Sequence, residues 1–155
     1  MKYNQLWIAG LLSIFFLGCD SAVYSEEKAI QDGIWTYSDP KLFEFESPDT
    51  TSLYDIRLTL EHDQSFDHQN VYMQLSTVFP NSDTVQQSFS VDVSNKFGQW
   101  IGDCGSDYCT RTSILQPQAR FEQLGTYKLV FEQFSRQDSL EGIRALTVGI
   151  YPTEN

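Results

Sequence analysis

TYKLVFEQF, residues 126–134, decides the fold class because its apolar side chains recur at every second position. In an extended strand, Tyr127, Leu129 and Phe131 would all lie on one face. Aromatic residues also favour strands, because their side chains pack well on a pleated surface. The stretch therefore predicts a β-strand that buries one face.

The same alternation recurs along the chain from Gly33 onward. Its further runs are KLFEFES, LYDIRLTLEH, NVYMQLSTVF, QSFSVDV and IRALTVGIY. Turn-forming segments rich in Gly, Pro, Asn, Asp and Ser separate these runs, and no run has a long apolar repeat of 3.6 residues. The pattern predicts an all-β fold, an antiparallel β-sandwich of roughly eight strands, with jelly-roll and immunoglobulin-like topologies both open.

The first 19 residues, MKYNQLWIAGLLSIFFLGC, have the layout of a secretory signal. Lys2 precedes a mostly apolar run over 6–17, which is shorter than the roughly 20 residues that a membrane-spanning helix needs. Gly18 followed by Cys19 is typical of the bacterial lipoprotein box, in which the thiol receives a diacylglycerol, although Phe16 stands where leucine is usual. The sequence predicts a signal peptide over 1–18 and a lipid on Cys19. An ordinary signal with an incidental cysteine is the alternative.

The segment after the signal, DSAVYSEEKAIQD (20–32), is polar and acidic without sustained periodicity. We therefore expect a lipidated N-terminus and flexible tether over 19–32. A single β-sandwich domain is expected over 33–155, because about 120 residues suffice for one hydrophobic core.

The chain carries a formal net charge of −11. An acidic surface is repelled by nucleic-acid phosphates, so the composition excludes a nucleic-acid partner. It is also repelled by anionic lipid headgroups, so membrane attachment is assigned to the lipid on Cys19 rather than to basic patches. A protein partner of such a surface is expected to be basic.

Two cysteines remain once Cys19 carries lipid. Cys104 and Cys109 lie in DCGSDYC, a turn-rich segment. An exported protein occupies an oxidising compartment, which favours a local disulfide between them. Two free thiols are the alternative. A metal site is disfavoured, because no second cysteine or histidine pair completes a tetrahedral set.

Two groups of polar residues have side chains of the types that bind metals or catalyse reactions. His62 and His68, with neighbouring carboxylates in EHDQSFDHQN, contain ligand types for a divalent cation, but the same residues suit a solvated turn between strands. Glu44 and Glu46 alternate with phenylalanines, as on a solvent-facing strand side. No nucleophile elbow, phosphate loop or dinucleotide motif is present in the sequence. We expect no catalytic residues, no metal and no cofactor other than the covalent lipid.

Aromatic residues offer a different kind of site. Trp100, beside a glycine-containing loop, and Tyr108 are the candidate binding residues, because exposed rings stack on sugars. This makes a glycan-binding surface lipoprotein the alternative function. Aromatic residues within alternating strands are equally explained by packing.

Several segments together resemble the gliding-motility lipoprotein family GldH. They are FFLGCDS, FEFESPDTTSLYDIRLTLEH (43–62), NVYMQLSTVFPNSDT (70–84), WIGDCGSDY (100–108) and GTYKLVFEQFSRQDSLEGIRALTVGIYP (125–152). The resemblance implies a membrane-anchored, non-enzymatic accessory of the envelope machinery for gliding and adhesin secretion. It carries over no catalytic residue. Cys104 and Cys109 depart from the family pattern, whose loop after the tryptophan is glycine-rich without cysteines.

The membrane of residence is the outer membrane in our interpretation, on its periplasmic or surface face. Asp20 directly follows the lipidated cysteine, and an acidic residue there retains lipoproteins in the inner membrane of some bacteria. In other lineages acidic residues near that cysteine mark surface export. The inner membrane therefore stays open as an alternative.

Overall fold

The computed structural model describes residues 21–153, which form an antiparallel all-β protein. The strands are β1 (Tyr24–Ala29), β2 (Ile34–Thr36), β3 (Lys41–Glu46), β4 (Tyr54–Asp63), β5 (Asn70–Val78), β6 (Thr84–Asp92), β7 (Asp103–Cys104), β8 (Tyr108–Ala119), β9 (Thr126–Gln133), β10 (Ser139–Glu141) and β11 (Ile143–Pro152). A single 3-10 turn, Gln31–Gly33, separates β1 from β2. The all-β class predicted from the alternating runs is confirmed.

The strands form three antiparallel sheets within the described range. A five-stranded sheet has the order β1-β11-β4-β8-β7, and a four-stranded sheet has the order β3-β9-β5-β6. Strands β10 and β2 form a separate two-stranded sheet. Most neighbours in each sheet are distant in sequence, so long-range pairing dominates the fold.

Both large sheets turn an apolar face to one shared hydrophobic cluster. The five-stranded sheet contributes, among others, Leu58, Leu60 and Val148, and the four-stranded sheet contributes Phe43 and Phe131. Strand β9 shows why the alternation had predictive value, because every second residue along it is buried and the residues between are only partly buried. Burial of these side chains is the main source of stability.

The structure has eleven strands in residues 21–153, more than the roughly eight predicted. Several of the strands that no alternating run predicted are very short: β2 and β10 have three residues each, and β7 has two. Segments of this length cannot display a hydrophobic period. Their positions depend on pairing partners elsewhere in the chain. Strand β8 also lies outside the predicted runs, although it has twelve residues, because its partly buried and exposed residues show no regular apolar alternation.

The prediction of a flexible tether is wrong for residues 24–29. Strand β1 pairs with β11 from Tyr24 opposite Ile150 to Ala29 opposite Ala145. Tyr24 packs its ring 5.2 Å from that of Phe45, and its hydroxyl donates a 2.6 Å hydrogen bond to Glu26. Burial, reinforced by that carboxylate, raises the pKa of Tyr24. The rest of this face is charged, so no apolar alternation revealed the strand.

Cys19 and the signal peptide lie outside the described residues. The described residues nevertheless show where the first strand begins, at Tyr24 opposite Ile150. Tyr24, Ile150, Ile56 and Gln116 are aligned across four strands, and we name this the Tyr24 end of the molecule. The opposite end, where Ala29 aligns with Ala145, is named the Ala29 end.

Candidate functional site

The Ala29 end brings together most of the residues singled out in the sequence. Cys104 and Cys109 form a disulfide across the β7–β8 hairpin, where they are directly opposite each other. The Gly105 amide donates to the Tyr108 carbonyl at 2.9 Å and closes the turn between them. The disulfide predicted from the compartment and the spacing is therefore present in the structure.

A second contact attaches this hairpin to the loop after β4. The side-chain amide of Gln64 donates a 2.5 Å hydrogen bond to the Gly105 carbonyl. Cys109 is fully buried, whereas Cys104 is exposed. The disulfide thus links an exposed turn to the edge of the core.

Trp100 does not stand free in solvent. It is partly buried and packs against the core, with its ring centroid 4.7 Å from that of His62. The exposed position that the sequence suggested for Trp100 is therefore wrong. Gly102, two residues later, has φ +120°, and a Cβ there would lie 2.1 Å from the Thr110 carbonyl oxygen. Only glycine lets the segment after the tryptophan approach β8 so closely.

Tyr108 is partly exposed, but its ring also takes part in an internal contact. The guanidinium carbon of Arg144 lies 5.0 Å from the ring centroid. The same arginine donates a 2.5 Å hydrogen bond to Asp63, which raises the pKa of Arg144. Tyr108 and Trp100 are thus neighbours of the disulfide hairpin rather than two walls of one open platform.

The two histidines of the loop after β4 face different surroundings. His62 is fully buried, and its Nδ1 lies 2.9 Å from the Asp63 carbonyl oxygen. Its Nε2 has no hydrogen-bond partner among the described residues. His68 instead packs edge-on against Phe66 at 5.3 Å. Within residues 21–153, no three His, Cys, Asp or Glu side chains are grouped so that they could hold a metal ion.

A cleft that the sequence did not reveal lies beside this region. It has a volume of about 980 Å³ and sits on the outward side of β5 and β9. Three exposed aromatic residues border it: Tyr37 after β2, Tyr72 on β5 and Phe134 just after β9. We name it the aromatic cleft.

Hydrogen bonds hold the wall of the aromatic cleft in place. Gln133 is buried, and its side-chain amide donates to the Gln137 carbonyl at 2.7 Å while its oxygen accepts the Ser135 amide at 2.6 Å. The Tyr37 hydroxyl donates to the Ser135 carbonyl. The Phe134 amide donates to the Tyr72 carbonyl at 2.9 Å. The cleft is therefore formed before any ligand arrives.

Only part of this site had a sequence signal. Tyr72 falls between Val71 and Met73, which are buried, so the alternation itself places Tyr72 on the outward face. Phe134 ends the run TYKLVFEQF on the face opposite Tyr127, Leu129 and Phe131, so the alternation indicates its direction but not its neighbours. Tyr37 follows the three-residue strand β2, where no periodicity indicates direction. The three aromatic residues meet only because β2, β5 and β9 are arranged together in the fold.

The fold and the site define an antiparallel all-β domain with a preformed aromatic cleft. Within the described residues, no helix is long and apolar enough to cross a membrane. The chain belongs to the GldH lipoprotein family, whose model matches residues 22–151. This confirms the resemblance stated from the sequence. The match begins two residues before β1, so that strand is part of the family's domain.

The chain is also similar to a curated relative and to a solved structure. The relative is a "Gliding motility lipoprotein GldH homolog" of Christiangramia forsetii, 24% identical over 135 residues, which are 86% of this chain and 82% of the relative. The structure is the crystal structure of the infectious bursal disease virus VP2 subviral particle, with 16% identity and a TM-score of 0.38. That match covers 86% of this chain but only 34% of the viral chain.

Proposed function

We propose that this protein is a lipoprotein anchored by Cys19 that serves gliding motility as a non-enzymatic binding component of the envelope machinery. Membership of the GldH lipoprotein family is the observation that carries this proposal. The relative's printed name, a gliding motility lipoprotein homolog, supports the same process. Its partners are then proteins of the gliding and adhesin-secretion machinery, and its only prosthetic group is the lipid.

The position of β1 supports an anchor that holds the domain close to the membrane. Tyr24 is already paired with Ile150. It lies five residues after Cys19. A fully extended chain of that length spans about 18 Å. The Tyr24 end of the molecule therefore stays next to the lipid surface, and the Ala29 end points away from it.

A scaffold role also agrees with the architecture. Both large sheets share one core, as in a β-sandwich, and the disulfide and the Gln64 contact tie an exposed turn to that core. Such a domain presents fixed surfaces rather than a closing active site. Its charge of −11 favours a basic partner and faster association at low salt.

The outer membrane is the location that we propose. Asp20 follows the anchoring cysteine, and we interpret it as a mark of export in this lineage rather than of inner-membrane retention. Protease treatment of intact cells, followed by membrane fractionation, distinguishes the locations. Degradation in intact cells places the domain on the surface, and recovery in the inner-membrane fraction would contradict the assignment.

The anchor is tested by Cys19→Ser in a strain whose own copy of the gene is deleted. We expect the variant to lose palmitate labelling, to leave the membrane fraction and to fail to restore colony spreading. The matched control replaces Cys104 and Cys109 by serine, which removes thiols but leaves the anchor. Palmitate labelling that persists in Cys19→Ser would assign the anchor to another residue. Full spreading of the deletion strain without any complementing gene would contradict the gliding function itself.

A further inference from the structure

The aromatic cleft has the composition of a sugar-binding site. Tyr37, Tyr72 and Phe134 are 45%, 50% and 54% exposed, and all three line the cleft. Large rings are usually buried because their exposure to water is unfavourable. Three of them around one cavity mark a place where a ligand with apolar faces completes the surface. The C–H faces of a pyranose ring are such a surface.

Polar side chains in the same cleft are available to a ligand. Gln74, Glu132 and Arg136 line it, and none of the three side chains has a hydrogen bond or ion pair within the described residues. By contrast Glu44, also on the outward face of this sheet, pairs with Lys128 at 3.0 Å. An amide both donates and accepts, a carboxylate accepts and a guanidinium donates. Together they match sugar hydroxyls, which do both.

The backbone beneath the cleft is already fully engaged. Strand β5 pairs with β6 on one side and β9 on the other, and β9 pairs with β3 and β5. An extended peptide therefore cannot bind here by adding a strand, which is the usual way that sheets capture peptides. Recognition must come from side chains alone. Aromatic rings flanked by an amide and two charged groups suit a saccharide better than a main chain.

The net charge of the protein favours a neutral saccharide over an acidic one. Glu132 and Arg136 offset each other within the cleft, whereas the whole chain carries −11. An acidic polysaccharide would be repelled by this surface. We propose that the aromatic cleft binds a neutral oligosaccharide, with rings stacked on Tyr72 and Phe134 and hydroxyls bonded by Gln74 and Glu132. This site is independent of the anchor and of the proposed gliding function.

The preformed wall favours binding at low cost. Gln133 and Tyr37 fix the loop at Ser135 through the hydrogen bonds described above, so little conformational freedom is lost when a ligand enters. Phe97, at the tip of the loop before Trp100, is 77% exposed but does not line the cleft.

The test is calorimetric titration of the mature lipoprotein, solubilised in a detergent without a sugar headgroup. The probes are neutral hexasaccharides of β-1,4-glucose, β-1,3-glucose and α-mannose, with a hyaluronan hexasaccharide as the acidic comparison. At least one neutral probe should bind. Tyr72→Ala and Phe134→Ala should each weaken that binding at least tenfold. Phe97→Ala removes an even more exposed ring outside the cleft and should leave the binding unchanged.

Each other outcome overturns the proposal. These are the absence of binding for all three neutral probes, preference for hyaluronan, or binding that survives both cleft substitutions. Gln74→Ala removes no apolar surface, so it keeps the test valid if a ring substitution unfolds the protein; it should weaken binding while the circular dichroism spectrum and melting temperature stay those of the wild type. A gliding defect has no bearing on this result, so the two proposals fail separately.

Discussion

Asp49 shows how one partly exposed carboxylate orders the loop between β3 and β4. Its Oδ1 accepts the amides of Thr51 and Ser52 at 2.8 and 2.6 Å, and its Oδ2 accepts the Tyr54 hydroxyl at 2.5 Å. The Tyr54 hydroxyl, followed by these backbone amides, holds the pKa of Asp49 well below its ordinary value of 3.8. The loop thus depends on the ionised form of one side chain.

A pH-dependent stability difference follows from this arrangement. A lowered pKa in the folded state means that Asp49 stabilises the protein above pH 3.8, and that this contribution is lost as the pH falls through the lowered value. Asp49→Asn should therefore lower the melting temperature at pH 7, and the difference from wild type should shrink in acid. Thermal unfolding at several pH values measures it.

The control for this experiment is Asp67→Asn. Asp67 is exposed and has no hydrogen bond or ion pair within the described range. Its substitution should change the melting temperature little at any pH. A difference between wild type and Asp49→Asn that grows in acid would contradict the assigned role.

At the residue scale, the sequence predicts which strand residues are buried better than it predicts which distant residues they contact. Phe43, Met73 and Leu129 are buried as the alternation required. Trp100 was expected to be exposed, but it packs on His62, a contact between residues 38 positions apart that no local pattern encodes. Leu42, in the run KLFEFES, is 44% exposed because its side chain lies on the face opposite Phe43 and Phe45. A tertiary contact thus decided the position of Trp100, whereas the alternation itself decided that of Leu42.

At the element scale, strands with one regularly alternating apolar face were predictable, and charged, very short or irregularly buried ones were not. β3, β5 and β9 lie within the alternating runs, and β4, β6 and β11 overlap them. The twelve residues of β8 were missed, since only Cys109 among them is buried. β1 is an edge strand whose charged residues Glu26, Glu27 and Lys28 keep it soluble and also hide it from a hydrophobic pattern. Charged residues on an edge strand discourage pairing with other chains. In the sequence alone, the same charged residues are indistinguishable from those of a flexible tether.

The β7–β8 hairpin gives a prediction at this scale. Only two residues of β7 pair with β8 in the described structure, and the disulfide adds a covalent restraint to the hydrogen bonds of this turn. Replacing Cys104 and Cys109 by serine should lower the free energy of unfolding by about 2 kcal/mol, the chain-entropy value for a ring this small. Urea denaturation of the oxidised and the doubly substituted protein measures the change.

Reduction provides the control for that comparison. Reduced wild type should unfold at the same urea concentration as the doubly substituted protein, because both lack the cross-link. Rapid alkylation of both thiols in the oxidised, exported protein would show that the bond does not form in the cell.

At the scale of the whole molecule, the proposed anchor at Cys19 and the strand lengths together imply an orientation of the domain. Leu124, 67% exposed, lies in the loop between β8 and β9 at the Tyr24 end. Phe97 lies in the loop after β6 at the opposite end. Strand β4 alone has ten residues, which corresponds to about 33 Å. The two ends therefore differ in distance from a membrane bound through Cys19 by roughly the length of one strand.

Paired labels test this orientation. A fluorophore attached at Leu124→Cys should be quenched by spin-labelled lipid headgroups in reconstituted vesicles, and one at Phe97→Cys should not. The native disulfide stays oxidised, so only the new thiol reacts. Equal quenching at both positions would mean that the domain lies on its side or moves freely about its anchor.

The pairing of β1 with β11 also has a mechanical consequence. Any pull between a membrane anchor and a partner at the Ala29 end would load β1 along its own axis, beginning at Tyr24. The six residue pairs that join the two strands would then share the force in shear, rather than opening one after another like a zipper. A strand that looks like the weakest edge of the sheet is thus placed where the geometry resists tension best, next to the point where a motile cell would apply it.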